Sequence, residues 1–414
     1  MPDRVIGLLR WMLVVSLFVS GCAWHANAQG RREARGRPAD ALCGIDVLKR
    51  DGFKQLAGRR VALITNQTGR DRDGNRTLDL LASAPGVKVV RIFSPEHGLY
   101  GNVDEKVGHT TEPKTGLKVY SLYGETRRPT TQMLEGVDTF VYDIQDVGAR
   151  FYTYSATLGN CMQEAAKHQL KFVVLDRPNP ITGLIVDGPI ADKSHQGFTA
   201  FGPMPVSHGM TFGELAELYN REWGVNCDLM VVKCEGWKRA MWFDETGLTW
   251  VNPSPNMRNV TQALLYPAVC LLEATNVSVG RGTDQPFELF GAPWIDGRRL
   301  SAELNGRELP GLRFVPIEFS PKESKFKDQK CQGVYIIVTD RDTYEAVRSG
   351  VTMAWCLNKL FPGKFEVQKV ERLLQNKQAM EALKTVGDPA EIEKVWQSDL
   401  EGFKRMRSKY LTYP

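Results

Sequence analysis

Acidic and amide side chains recur in this chain just past the ends of short apolar runs. Glu96 and His97 follow the run Val87–Ser94, Asp143 and Asp146 close the run Asp138–Gln145, Asp176 follows Lys171–Leu175, and Asn66 follows Val61–Thr65. Carboxyl groups gathered at one place suit acid/base work on a polar, uncharged or sugar-like substrate, with one acting as proton donor and another at the reacting carbon. Glu96 is the leading candidate for the donor. It sits between Pro95, which fixes the backbone, and a His97-Gly98-Leu99-Tyr100-Gly101 turn whose glycines permit a tight bend. Asp143 and Asp146 are the candidates for the second catalytic group.

Around these acids lie candidate binding groups. Asn66, His97 and Asp176 share their turns. Arg150 and Tyr152 follow Asp146, and aromatic rings beside carboxylates suit the apolar faces of a sugar ring. Asn256 lies in the stretch Asn252-Pro253-Ser254-Pro255-Asn256, and Arg281 stands between two glycines in Gly280-Arg281-Gly282-Thr283. An arginine in such a loop could clamp a carboxylate with two hydrogen bonds. Each has a plainer alternative. Glu96 could cap its own loop, His97 could be a structural donor, and Asp176-Arg177 could be an internal ion pair. Asn256 could satisfy a linker's backbone, and Phe151 is best read as core. No Cys/His cluster has metal spacing, so no metal is expected. A Walker A loop, a GxSxG elbow and an HExxH helix are all missing from the sequence.

The acids can meet only if the apolar runs are strands of one sheet. Val61–Thr65, Val87–Ser94, Asp138–Gln145, Lys171–Leu175 and Cys227–Val232 alternate with helical patterns at Thr77–Ala84, Thr157–His168 and a helix opened by a Thr211/Glu214 capping box and ending at Gly224. Such alternation predicts an α/β fold, a Rossmann-like parallel sheet with helices on both faces. Ligands of such sheets bind outside the carboxyl ends of the strands. The boundary of this N-terminal domain (43–254) falls in the Pro/Asn stretch. A smaller α/β C-terminal domain (255–414) follows, with a helix over Thr261–Glu273, strands near Leu312–Glu318 and Gly333–Asp340, and a long amphipathic helix over Ala390–Tyr410.

The first residues read as an address rather than as fold. Arg4 and Arg10 bracket an n-region, Trp11–Val19 is too short an apolar run for a membrane span, and small residues follow. Residues 1–28 are an export signal, and Val19-Ser20-Gly21-Cys22 matches a lipobox, which predicts a lipid anchor at Cys22. A plain signal cut after Ala28 is the alternative. Residues 29–42 form a tether, and the protein is expected in the periplasm or anchored to a membrane. Of the eight cysteines, Cys227 and Cys234 flank one strand and sit too far apart to pair. The formal charge of +5, from 53 basic and 48 acidic residues, makes no case for nucleic acid.

Six segments occur in order: Asn66-Gln67-Thr68-Gly69, Ser94-Pro95-Glu96-His97-Gly98, Tyr142-Asp143-Ile144-Gln145-Asp146-Val147-Gly148, Asp176-Arg177-Pro178-Asn179-Pro180, Asn252-Pro253-Ser254-Pro255-Asn256-Met257 and Gly280-Arg281-Gly282-Thr283. As an ordered set they resemble the exo-β-N-acetylmuramidase family, the NamZ-like glycosidases long filed as a domain of unknown function. The resemblance runs from about Gly44 to the C-terminus. It implies a Rossmann-like domain without a dinucleotide or other cofactor, a site in the cleft between two domains, and release of N-acetylmuramic acid from the non-reducing end of peptidoglycan fragments. It makes Glu96 the catalytic candidate, and Arg281 or Arg150 the reader of the sugar's lactyl carboxylate. The second catalytic group would be Asp143, Asp146 or the substrate's own acetamido oxygen. A wall-binding lipoprotein without activity is the competing reading. A nucleotide-binding enzyme is disfavoured, because no glycine fingerprint follows the first strand.

Overall fold

A computed structural model describes residues 40–102, 104 and 108–414. The export signal, the lipobox at Cys22 and most of the tether therefore lie outside the described residues. Seven strands build the main sheet: β1 (Arg60–Thr65), β2 (Lys88–Ser94), β3 (Thr110–Thr111), β4 (Lys118–Ser121), β5 (Thr139–Asp143), β6 (Lys171–Leu175) and β7 (Asp228–Val232). Their order is β3-β4-β2-β1-β5-β6-β7, and every pairing is parallel except that of β3 with β4. The chain winds outward from β1 in both directions. The central strands β1, β5 and β6 are buried along nearly their whole length because both faces are covered. Val61, Leu63, Val141 and Val173 point to one side, and Ala62, Ile64, Phe140, Tyr142, Phe172 and Val174 to the other. Helices α1 (Gly44–Arg50) and α2 (Thr77–Ser83) bury Ile45, Leu48, Leu78 and Leu81 on the first side. Helices α3 (Tyr154–Lys167) and α4 (Phe212–Arg221) bury Leu158, Met162, Leu215 and Leu218 on the second.

The predicted capping box forms: Thr211 Oγ1 accepts from Glu214 N at 3.2 Å, and Glu214 Oε2 accepts from Thr211 N at 3.1 Å. Its helix stops at Arg221, short of Gly224. Beyond it, α5 (Val260–Val269) precedes a second sheet of β8 (Leu289–Ala292), β9 (Leu312–Phe319) and β10 (Cys331–Val338), antiparallel and ordered β8-β10-β9. Helices α6 (Gly297–Asn305), α7 (Ala346–Leu360), α8 (Glu371–Leu374), α9 (Lys377–Thr385) and α10 (Gln397–Arg407) complete this layer. Two expected helices are shorter. Pro267 sits inside α5 with no N–H to donate, and the segment closes as a 3-10 turn at Cys270–Leu272. The stretch expected to be helical from Ala390 begins as 3-10 turns, and α10 starts only at Gln397. Ile392, Val395 and Trp396, branched or bulky, lose rotamer freedom in an α turn.

The α3/α4 side of the main sheet and the interior of the second layer form one continuous apolar cluster, with Tyr152, Leu265, Phe287, Phe314 and Val351 among its members. The end of the chain returns to the main sheet. Tyr413 packs on Trp237 and donates its hydroxyl to Asp176 Oδ2 at 2.5 Å, and Arg239 N donates to Pro414 O at 2.7 Å. The seven cysteines among the described residues are buried and unpaired, Cys227 and Cys234 included.

Candidate active site

The turn after β2 makes the site. Gly98 N donates to Pro95 O at 3.1 Å, and His97, Gly98 and Gly101 all take left-handed φ values of 68°, 76° and 64°. A histidine in that region is strained, as residues at functional turns often are. Bent in this way, the segment lifts Glu96 and His97 into a cavity of about 750 Å³, a size typical of ligand sites. Glu96 Oε2 accepts from Thr153 Oγ1 at 2.5 Å, at the start of α3. The Tyr123 hydroxyl also bonds Glu96. Burial, then the bond to Glu96 and its charge, push the Tyr123 phenol up to about 12, so it stays a proton donor at neutral pH.

Facing Glu96 is a charge network. Arg281 Nε meets Glu273 Oε1 at 2.6 Å, and Arg281 Nη1 meets Asp104 Oδ2 at 3.3 Å. Asp104 Oδ1 lies 3.2 Å from His97 Nδ1, and Asn256 Nδ2 donates to Asp104 Oδ2 at 2.5 Å. His97 chiefly, with Arg281 and Asn256, holds the Asp104 carboxyl below the usual range against the effect of burial. Burial opposes the Arg281 charge, but Glu273 and Asp104 outweigh it and raise its pKa. Glu273 is further fixed by the Cys270 thiol, which donates to Oε2 at 3.0 Å, and by Lys325, which donates to its backbone carbonyl. Gly282 has φ 81°, and a Cβ there would collide with the backbone of Glu323. That glycine lets the Arg281 loop and the Glu323 loop line the same cavity.

Aromatic rings finish the walls. Tyr152 packs edge-on against Tyr154 at 4.8 Å and Tyr266 at 5.6 Å between centroids. It lines the cavity while only 6% exposed, so it offers a sugar little ring surface. The open aromatic pair is Tyr123 with Phe198, stacked at 5.8 Å and 24°. Arg127 lies 4.2 Å over the Phe198 ring. Sequence reasoning passed over Asp104, Tyr123, Arg127, Phe198, Glu273 as an acid of the site, Glu323 and Arg372, all of which line the cavity.

Five expected site residues lie elsewhere, each closed off by partners that sequence does not reveal. Asp143 is fully buried at the end of β5, where Arg177 grips both its oxygens at 2.5 and 3.0 Å and Thr77 donates a third bond. The ion pair of Arg177 is thus with Asp143, not with Asp176. Asp176 is fully buried. It accepts from Gly213 N, Arg177 N, Thr211 Oγ1 and the Tyr413 hydroxyl, which fasten the start of α4. Burial still pushes its carboxyl up to about 6. Asp146 is 4% exposed, with His208 Nε2 at 3.2 Å from Oδ2. Asn66 Oδ1 folds back on Thr68 N at 3.0 Å and Thr68 Oγ1 at 2.6 Å, an Asx turn. Next to it, Gln67 Nε2 donates to Asn252 O at 2.7 Å and so holds the Pro/Asn loop that carries Asn256. Arg150 is fully buried and donates to four carbonyls, those of Pro189, Met204, Leu373 and Leu374, at 2.7–2.9 Å. Burial pushes its pKa down to about 9. It reads no ligand.

A doubly wound sheet whose β2 turn delivers a hydrogen-bonded carboxyl to an arginine- and aromatic-lined cavity is an arrangement suited to acid catalysis on a sugar. Family models described as exo-β-N-acetylmuramidase NamZ, N-terminal and C-terminal, match residues 61–261 and 264–413. The chain belongs to this family. It is 43% identical over 411 residues to the peptidoglycan β-N-acetylmuramidase NamZ of Bacillus subtilis (strain 168), covering 98% of this chain and 99% of that one. Two crystal structures of DUF1343 family proteins from Bacteroides fragilis share the fold. One has TM-score 0.85 at 36% identity, covering 92% of this chain and all of the other. The second has TM-score 0.74 at 30% identity, covering 90% of this chain and 99% of the other.

Proposed function

We propose that this chain removes β-linked N-acetylmuramic acid from the non-reducing end of peptidoglycan fragments, with Glu96 as the general acid. The observation that carries the reading is the Glu96 carboxyl in the cavity, oriented by Thr153 and Tyr123. In this mechanism Glu96 protonates the glycosidic oxygen as the bond to the anomeric carbon breaks. Asp143 and Asp146 are withdrawn from the second role, because neither reaches the cavity. The groups left for the anomeric carbon are Asp104, Glu273 and Glu323, and the substrate's acetamido oxygen. The Arg281 network holds the Asp104 and Glu273 carboxyls in place, ready to face positive charge developing at the anomeric carbon.

A chromogenic β-N-acetylmuramide tests the proposal. Wild type releases the chromophore, and Glu96→Gln lowers kcat roughly 10²- to 10⁴-fold while the melting temperature and saccharide binding hold. Near-normal turnover in that variant removes Glu96 from the mechanism, and an inactive wild type that still binds saccharide favours a binding lipoprotein. The reaction is proposed to take place outside the cytoplasm, on a protein tethered through Cys22. The charged n-region, the apolar run and Val19-Ser20-Gly21-Cys22 support that address. Fatty-acid labelling that persists in Cys22→Ser would refute the anchor.

A further inference from the structure

An anionic sugar entering this cavity meets Glu96, Asp104, Glu273 and Glu323. It needs a cation whose charge is not already offset. Arg281 is a poor choice, since Glu273 and Asp104 hold it on two sides. Arg150 lies in the interior on backbone carbonyls. Two cavity arginines form no ion pair among the described residues, Arg127 and Arg372. Of these, Arg372 belongs to the short α8 and also faces a neighbouring depression with Lys369 and Glu371. Arg127 is held differently. Its guanidinium carbon sits 4.2 Å from the Phe198 ring centroid, Phe198 stacks on Tyr123, and Tyr123 bonds Glu96. Its own backbone carbonyl accepts from Asn160 of α3. A stacked guanidinium keeps its N–H edges free for a planar two-oxygen acceptor.

We propose that Arg127 is the specificity-determining residue of this enzyme, binding the lactyl carboxylate of the terminal muramic acid while Glu96, one aromatic ring away, acts on the glycosidic oxygen. The assignment rests on the muramidase reading above. It carries a substrate rule: a sugar whose lactyl group is capped as an amide, as when a peptide is attached, loses this contact. The chain should therefore prefer fragments with free lactyl carboxylates.

The test compares two chromogenic β-muramides, one with a free lactyl carboxylate and one with a lactyl amide. Wild type should favour the acid by roughly 10- to 100-fold in kcat/KM, the worth of a charge-assisted hydrogen-bonded pair, with most of the difference in KM. In Arg127→Gln that ratio should collapse toward one. Arg127→Lys, which keeps charge but loses the planar guanidinium, should fall between. Arg372→Gln is the comparator and should keep the wild-type ratio. A wild-type ratio near one, an unchanged ratio in Arg127→Gln, equal losses on both substrates, or a collapse in Arg372→Gln instead would each overturn the assignment. Failure of wild type to cleave either glycoside would instead sink the muramidase reading itself. Arg127 is exposed, so the melting temperature should not move in either of its variants.

Discussion

Tyr123 and Thr153 each hydrogen-bond Glu96 and so aim its carboxyl. Tyr123→Phe keeps the ring on Phe198 and removes only the hydroxyl. It should lower kcat/KM on a muramide about tenfold, by the loss of one orienting hydrogen bond, with little change in melting temperature. An unaltered rate would show that Thr153 alone suffices. At this scale the sequence was uneven to read. The turn that carries Glu96 was legible because Pro95 and two glycines mark it. Asp143 was misread because a carboxylate after a strand looks the same whether it faces a cavity or an arginine. Its partner, Arg177, follows a different strand, and only the parallel pairing of β5 with β6 brings the two together. Tyr123 and Arg127 fall in an irregular segment with no periodicity to notice. Their significance comes from Glu96 and Phe198, each remote in sequence.

Elements were easier than residues. Five of the seven strands of the main sheet were legible because burial on both faces demands continuous apolar runs, and α4 because its first turn satisfies its own N–H groups. β4 was missed, because four residues with Lys118 exposed make too short an apolar run. The edge strand β3 was not legible either, since its two threonines are exposed and carry no apolar signal. Nor was the fate of the carboxyl ends of the strands. The acids after β5 and β6 serve the elements themselves, as Asp176 serves the start of α4. Burial raises that carboxyl from the ordinary 3.8 to about 6. The folded state therefore holds a proton that the unfolded chain has released across that window. Its contribution to stability is greatest below about 4, declines as pH rises to about 6, and is level above. Chemical denaturation of wild type and Asp176→Asn at several pH values should differ in slope only within that window. Parallel curves would show that the carboxyl titrates at its ordinary value.

The whole molecule depends on ties between distant stretches of chain. Arg150 joins the segment around Pro189 and Met204 to α8, and four carbonyls share its guanidinium. Arg150→Met fills similar space and leaves those acceptors bare. It should cost a few kcal/mol, at about 1–3 kcal/mol for each buried carbonyl left unsatisfied, seen as a lower melting temperature. The acid-to-amide preference should stay as in wild type, which separates a brace from a substrate contact. No sequence pattern could have distinguished this arginine from a ligand-binding one, because what decides is that Leu373 and Leu374 return to cover it. The final residues of the chain tell a similar story in time. Tyr413 reaches Asp176 across 237 positions of sequence. During synthesis the start of α4 therefore stays unlatched until Tyr413, 237 positions after Asp176, has been made. A product lacking Tyr413 would keep the rest of the fold but with its hinge pin missing, a ready substrate for quality-control proteases.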